Sequence, residues 1–234
     1  MKIRAVIYDF DGVINDSAHK GAERIIDIVQ RFGHSIPPDI WEKFTGIWDA
    51  QGKQTQKGTW GLPGAIMIER AFNISQTESE NIYEEWERID AMDLLPLIKG
   101  AIETLSFLKR QGFVQLMLTS RNKENLIAVL NCHDIVPFFA VIQTRDTWSF
   151  RKPDPHTFCF ILDYLEKQGV SIGECVYVGD TPEDFHAGNS RGVENVSVLS
   201  GLFTKKHFLT IGQKENYIIR SISELPNWLA WRNA

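Results

Sequence analysis

Ile3-Arg4-Ala5-Val6-Ile7-Tyr8 runs directly into Asp9-Phe10-Asp11-Gly12-Val13. A short apolar run bounded by a turn reads as a buried strand. Two aspartates then stand at its carboxyl end, followed by a glycine. Asp-Gly is also an ordinary turn pair, so these residues alone leave a plain turn and a reactive site equally open. Just beyond, Asp16 or Ser17 is placed to cap a helix, since either side chain can accept from free backbone N–H groups. That helix would line up Ala22, Ile25, Ile26, Val29 and Phe32 on one face and stop at Gly33.

From about 37 to 93 no strand alternation is visible. Pro63 to Phe72 predicts one helix. Thr77-x-x-Glu80 offers a capping box for another that reaches about Met92. The glycines and polar residues between Gln51 and Gly61 read as an exposed loop. After Pro96 the rhythm changes. A helix at about 99–111 precedes a strand from Phe113 to Leu118. A helix from about 122 precedes a strand from Phe139 to Gln143. A helix opened by Pro155 reaches about Gln168 and precedes a strand from Cys175 to Val178. A helix from Glu183 precedes a strand from Asn195 to Leu199. Strands alternating with helices predict a doubly wound α/β fold, a parallel sheet covered on both faces. The expected division is an α/β core of residues 1–15 and 94–234 and an inserted helical cap of residues 16–93.

The bulk composition agrees with an ordinary folded protein. The 234 residues are 43% hydrophobic and 24% charged, with a formal charge of −5, and such a chain can build a core without disulfides. No basic run suggests a nucleic-acid or membrane footprint. Cys132, Cys159 and Cys175 are odd in number and far apart, which does not read as a disulfide framework. The apolar run before Asp9 is too short for a signal peptide, and no later run could span a membrane. A cytoplasmic location is therefore expected, and the N-x-S/T matches at Asn15, Asn73 and Asn195 read as coincidence.

Parallel α/β sheets gather their sites at the carboxyl ends of the strands. Three strand ends carry chemistry: Asp9 and Asp11, then Thr119-Ser120, then Gly179-Asp180 with Asp184 four residues on. Lys152 follows another strand. Two like charges ~4 Å apart at an effective dielectric of about 20 repel by roughly 4 kcal/mol. A hard divalent cation held by oxygen relieves that repulsion. With Lys152 and the Thr119 hydroxyl nearby, the set suits a phosphate dianion beside a metal.

In order, these residues resemble the four motifs of the haloacid dehalogenase superfamily: Asp9-Phe10-Asp11-Gly12-Val13, then Thr119, then Lys152 in Arg151-Lys152-Pro153, then Gly179-Asp180-Thr181-Pro182-Glu183-Asp184. The helical insert between the first two is similar to that of phosphoglycolate phosphatase-like and β-phosphoglucomutase-like members. The resemblance implies a phosphatase that cleaves a small phosphomonoester with Mg2+. In it Asp9 would be the nucleophile that becomes an aspartyl phosphate. Asp11 would protonate the leaving oxygen and then activate water. Asp9, Asp11 (through its carbonyl), Asp180 and Asp184 would surround the metal, Asp184 acting through water or as partner of Lys152. Phe10, Asp11, Thr119, Ser120 and Lys152 would line the phosphate site. An acid at position 11 favours phosphatase or phosphomutase over dehalogenase chemistry. A mutase, a pyrophosphatase and a non-catalytic binding member are the alternatives. The implied partner is a small phosphorylated metabolite, and the chain would be a monomer or homodimer.

Other motifs fail on context. Gly188-Asn189-Ser190-Arg191-Gly192 matches a nucleophile elbow but closes a predicted helix instead of opening one. Gly46 to Lys53 misses the P-loop spacing. The six histidines show no metal-ligand spacing, and His19 reads as a surface residue. Thr45-Gly46 resembles a cap loop that reaches substrate in the family. Many members carry an arginine soon after it, whereas here no basic residue comes before Lys53. That departure argues against a phosphoglycolate or sugar-phosphate mutase substrate. Trp48 and Trp60 read as cap packing before substrate contact.

Overall fold

The opening apolar run forms a strand that is buried at all four positions, β1 (Ala5–Tyr8). The computed structural model describes residues 1–48, 54–59, 62–147 and 150–234. After β1 come α1 (Ser17–Arg31), α2 (Ile40–Thr45), β2 (Gly46–Trp48), β3 (Gln54–Lys57), α3 (Gly64–Phe72) and α4 (Gln76–Met92). Then follow α5 (Ala101–Arg110), β4 (Val114–Leu118), α6 (Lys123–Cys132), β5 (Val141–Gln143), α7 (Cys159–Lys167) and β6 (Cys175–Gly179). The chain ends with α8 (Pro182–Arg191), β7 (Glu194–Val198), α9 (Lys205–Thr210), β8 (Ile218–Ile219) and α10 (Leu225–Asn233).

Six strands form one parallel sheet in the order β5-β4-β1-β6-β7-β8. Tyr8 stands opposite Met117 on one side and Val178 on the other, so β1 ends in the middle of the sheet. Side chains alternate across the pleat. Val6 and Tyr8 join the cluster that holds Leu105, Leu130 and Leu225, whereas Ala5 and Ile7 join the cluster of Phe158, Ile161 and Leu165. Two-sided burial explains why these strands read as continuous apolar runs. The doubly wound α/β expectation holds, and the sheet gains β8 and α10, for which nothing after Leu199 had been expected.

The segment between β1 and α5 has its own apolar cluster. It takes Ala22, Ile25, Ile28 and Val29 from α1, Phe44 from α2, Ile68 from α3 and Ile82 from α4. Leu202, from the loop after β7, also belongs to it. The two crossings into this segment are tied together. Asn15 bridges both Asp11 and Leu97, the Asp16 N–H donates to the Pro96 carbonyl at 2.8 Å, and the Ile98 N–H donates to the Ile14 carbonyl at 2.8 Å.

Several local expectations need correction. Asp16 sits at the start of α1, but neither its side chain nor that of Ser17 caps the helix, because the Ser17 hydroxyl is committed to Asp11. On the helix face, Phe32 is 45% exposed while Ile28 is fully buried. The capping box of α4 is Ser75 with Glu78, not Thr77 with Glu80. The segment also contains a two-stranded antiparallel pair, β2 with β3. β3 reads Gln-Thr-Gln-Lys, which has no period-two apolar signal to reveal it. Among the described residues no helix is long and apolar enough to cross a membrane.

Candidate active site

β1 delivers Asp9 to the rim of the sheet, where its N–H donates to the Val178 carbonyl at 2.9 Å. One Asp9 carboxylate oxygen accepts from the Phe10 N–H at 2.8 Å. The other lies 3.1 Å from the Lys152 ammonium. Lys152 reaches in from the loop after β5 and also touches Asp184 Oδ1 at 2.7 Å. All three side chains are at least nine-tenths buried. Buried charges of this kind persist only when paired.

Asp184 owes its place to α8. Thr181 caps that helix, accepting from the Asp184 N–H, and the Asp184 carboxylate returns to the Thr181 N–H at 3.1 Å and hydroxyl at 2.7 Å. Its other oxygen accepts from the Tyr177 hydroxyl at 2.7 Å. With both oxygens taken, Asp184 serves as anchor of Lys152. Burial alone would raise its pKa, but Lys152, Tyr177 and Thr181 outweigh that and hold it below the usual carboxylate value. Lys152 is desolvated too, yet Asp184 and Asp9 keep it charged, with its pKa raised.

Asp180, at the end of β6, is different. It is 3% exposed, and among the described residues its carboxylate makes no hydrogen bond or ion pair. Gly12 and Gly201 wall it in: a Cβ on either would lie 2.1 Å or 2.0 Å from Asp180 Oδ2. Gly12 also needs its freedom for a φ of +69°, and the Ser200 hydroxyl fixes that turn by donating to the Gly12 carbonyl at 2.6 Å. One oxygen each from Asp9, Asp180 and Asp184 fit within 4.8 Å of one another. Burial and these neighbours push Asp9 up to about 7, Lys152 opposing, and raise Asp180 well above its ordinary value. A buried, unpartnered carboxylate beside two others is a donor set that fits a hard divalent cation.

Asp11 points elsewhere. Arg121 Nε donates to both of its carboxylate oxygens at 2.9 Å, and Nη2 lies 2.8 Å from Oδ1. Ser17 donates to the same Oδ1. Burial would raise the Asp11 pKa, but Arg121 and Ser17 bring it below the usual value. Asp11's side chain is outside the acidic triad. Phe10 is fully buried in the core, so its side chain lines no phosphate site. Thr119, Ser120 and Lys152 line one small pocket with Gln143 and Arg151. The Thr119 hydroxyl accepts from the Arg121 N–H at 3.1 Å. His19 contacts the Gly201 carbonyl at 2.9 Å. Trp60 and the Trp48 side chain lie outside the described residues.

Sequence reasoning missed Arg121, Tyr177, Thr181 and Ser17. Arg121 directly follows Thr119-Ser120, and Tyr177 stands three residues before Asp180, so position was a signal. The direction of each side chain was not.

Comparison with known proteins follows the same lines. The chain is 26% identical over 208 residues to a phosphoglycolate phosphatase of Agrobacterium fabrum, covering 83% of this chain and 80% of that one. It is 24% identical over 211 residues to a phosphorylated carbohydrates phosphatase of Thermotoga maritima, covering 90% and 92%. The crystal structure of a hydrolase from Pseudomonas syringae superposes with a TM-score of 0.66 at 21% identity, covering 99% of this chain and 100% of that one; this likeness is one of fold. Residues 6–198 match the family described as haloacid dehalogenase-like hydrolase. With that match spanning the acidic rim from Asp9 to Asp184, the chain belongs to the haloacid dehalogenase-like hydrolases.

Proposed function

We propose that this protein is a magnesium-dependent phosphatase that cleaves a small phosphomonoester through an aspartyl phosphate on Asp9. The observation that carries the reading is the buried Asp9–Lys152–Asp184 chain beside the unpartnered Asp180. Relatives named for phosphoglycolate and for phosphorylated carbohydrates support a small phosphorylated metabolite as substrate. The helical segment of residues 16–93 would act as a cap over the core of 1–15 and 94–234.

Asp9, Asp180 and the Asp11 carbonyl would hold the magnesium, with Asp184 near it. When bound, the ion supplies positive charge against the carboxylates and the phosphoryl oxygens. Asp9 Oδ would attack phosphorus, and the leaving oxygen would take a proton from Asp11. Lys152, the Thr119 hydroxyl and the Ser120 N–H would hold the phosphoryl oxygens. Water activated by Asp11 would then free Asp9. Positioning and charge neutralisation dominate such transfers.

Asp9→Asn keeps the shape and removes the nucleophile. With magnesium present, phosphate release from a panel of phosphorylated metabolites should be abolished in this variant. Wild-type turnover by the variant would overturn the assignment.

A further inference from the structure

Asp11 is held by a residue that no motif supplied. The main chain of Arg121 is pinned, its N–H donating to Thr119 Oγ1 at 3.1 Å and its carbonyl accepting from the Arg145 N–H at 3.0 Å. The guanidinium stands over the Phe10 ring, 5.4 Å from the centroid. On one side it grips both Asp11 oxygens. On the other, Nη1 lies 3.9 Å from Asp90 Oδ2, near the end of α4. Asp90 is itself held by Arg24 of α1 at 2.9 Å, and both are nearly nine-tenths buried.

One cation is thus shared between an acid of the core and an acid of the helical segment. A guanidinium can donate but never accept, so its grip on both Asp11 oxygens favours the ionised carboxylate over the protonated form that must give a proton to the leaving oxygen. Loosening that grip favours the protonated form, and Asp90 is the group placed to compete for it. We propose that Arg121 is a positioning residue: it orients Asp11 and transmits to it, through Asp90, how the helical segment is seated. This inference rests on the phosphatase reading and deepens it.

The test uses two esters of similar size, 4-nitrophenyl phosphate and benzyl phosphate, assayed with magnesium. Nitrophenolate departs without a proton, whereas the benzyl alkoxide needs one from Asp11. Arg121→Met should lower kcat/KM for benzyl phosphate by about 10- to 100-fold and for the nitrophenyl ester by less than about 3-fold. Arg121→Lys should restore only part of the loss, because an ammonium lacks the planar fork. Asp90→Asn, nearly isosteric, should give the same selectivity on a smaller scale, and adding it to Arg121→Met should cost nothing further, since both act on one linkage. Equal losses on both esters, or losses that multiply in the double variant, would overturn the inference while leaving the phosphatase reading intact. A wild-type protein that cleaves neither these esters nor any member of the panel of phosphorylated metabolites would overturn both.

Discussion

Asp180 is the least comfortable residue of the molecule: buried, charged at neutral pH only at a cost, and without a partner among the described residues. Removing its charge relieves the repulsion around Asp9. Asp180→Asn should raise the melting temperature of the metal-free protein and abolish the rise that magnesium produces in the wild type, as differential scanning fluorimetry can measure. A ligand that binds only the folded state stabilises it by mass action, so loss of the magnesium-induced shift reports the site directly. The same crowding sets a pH dependence. Asp9 keeps its proton up to about 7 in the folded protein against an ordinary value of 3.8. Between those values the folded state binds more protons than the unfolded chain, so stability falls as pH rises. Metal-free protein in chemical denaturation should show its midpoint dropping across that window, and magnesium should flatten the slope. At this scale the meeting of Asp9, Lys152, Asp180 and Asp184 could be expected from the sequence, because the first three stand at a strand end or in the loop after one and Asp184 lies in the first turn of the helix that follows β6. Arg121 could not, since nothing in Thr119-Ser120-Arg121 says that the arginine turns back over Phe10.

Helix starts divide the elements into those that serve stability and those that serve chemistry. Ser75 and Glu78 cap α4 on the surface, so Ser75→Ala should cost about 1 kcal/mol of unfolding free energy with turnover unchanged. Thr181 caps α8 with the same geometry, but its box partner is Asp184. Thr181→Ala should cost a similar ~1 kcal/mol and also reduce turnover, because Asp184 loses a hydroxyl that aims it at Lys152. Comparing kcat and denaturation midpoints for the two variants separates the roles. Thr77-x-x-Glu80 and Ser75-x-x-Glu78 fit the capping pattern equally well, and spacing could not choose between them. The backbone does: Asn73 turns left-handed at a φ of 54° and Ser75 is extended, which places the helix start there. The pairing of β2 with β3 was invisible for a related reason, since Gln54 to Lys57 carries no alternation of apolar and polar residues.

At the scale of the whole molecule, three large apolar clusters account for the sheet and the helical segment, and Leu202 carries core sequence into the helical one. Leu202→Ala should cost about 2–3 kcal/mol by the usual penalty for emptying a buried site, read as a lower denaturation midpoint. The loss should fall on the docking of α1 to α4 against the core, and hydrogen exchange would show it there first. The alternation of strands and helices made the parallel sheet legible from sequence. The order of its strands, and the short β8 at its edge, depend on long-range pairing that no local pattern encodes.

The paired crossings at Asn15 and Leu97 have a mechanical meaning. Two chains laced side by side bend readily about the line between them but resist sliding past each other. A tilt of the helical segment about that seam would carry its far edge furthest and would shift Asp90 relative to Arg121.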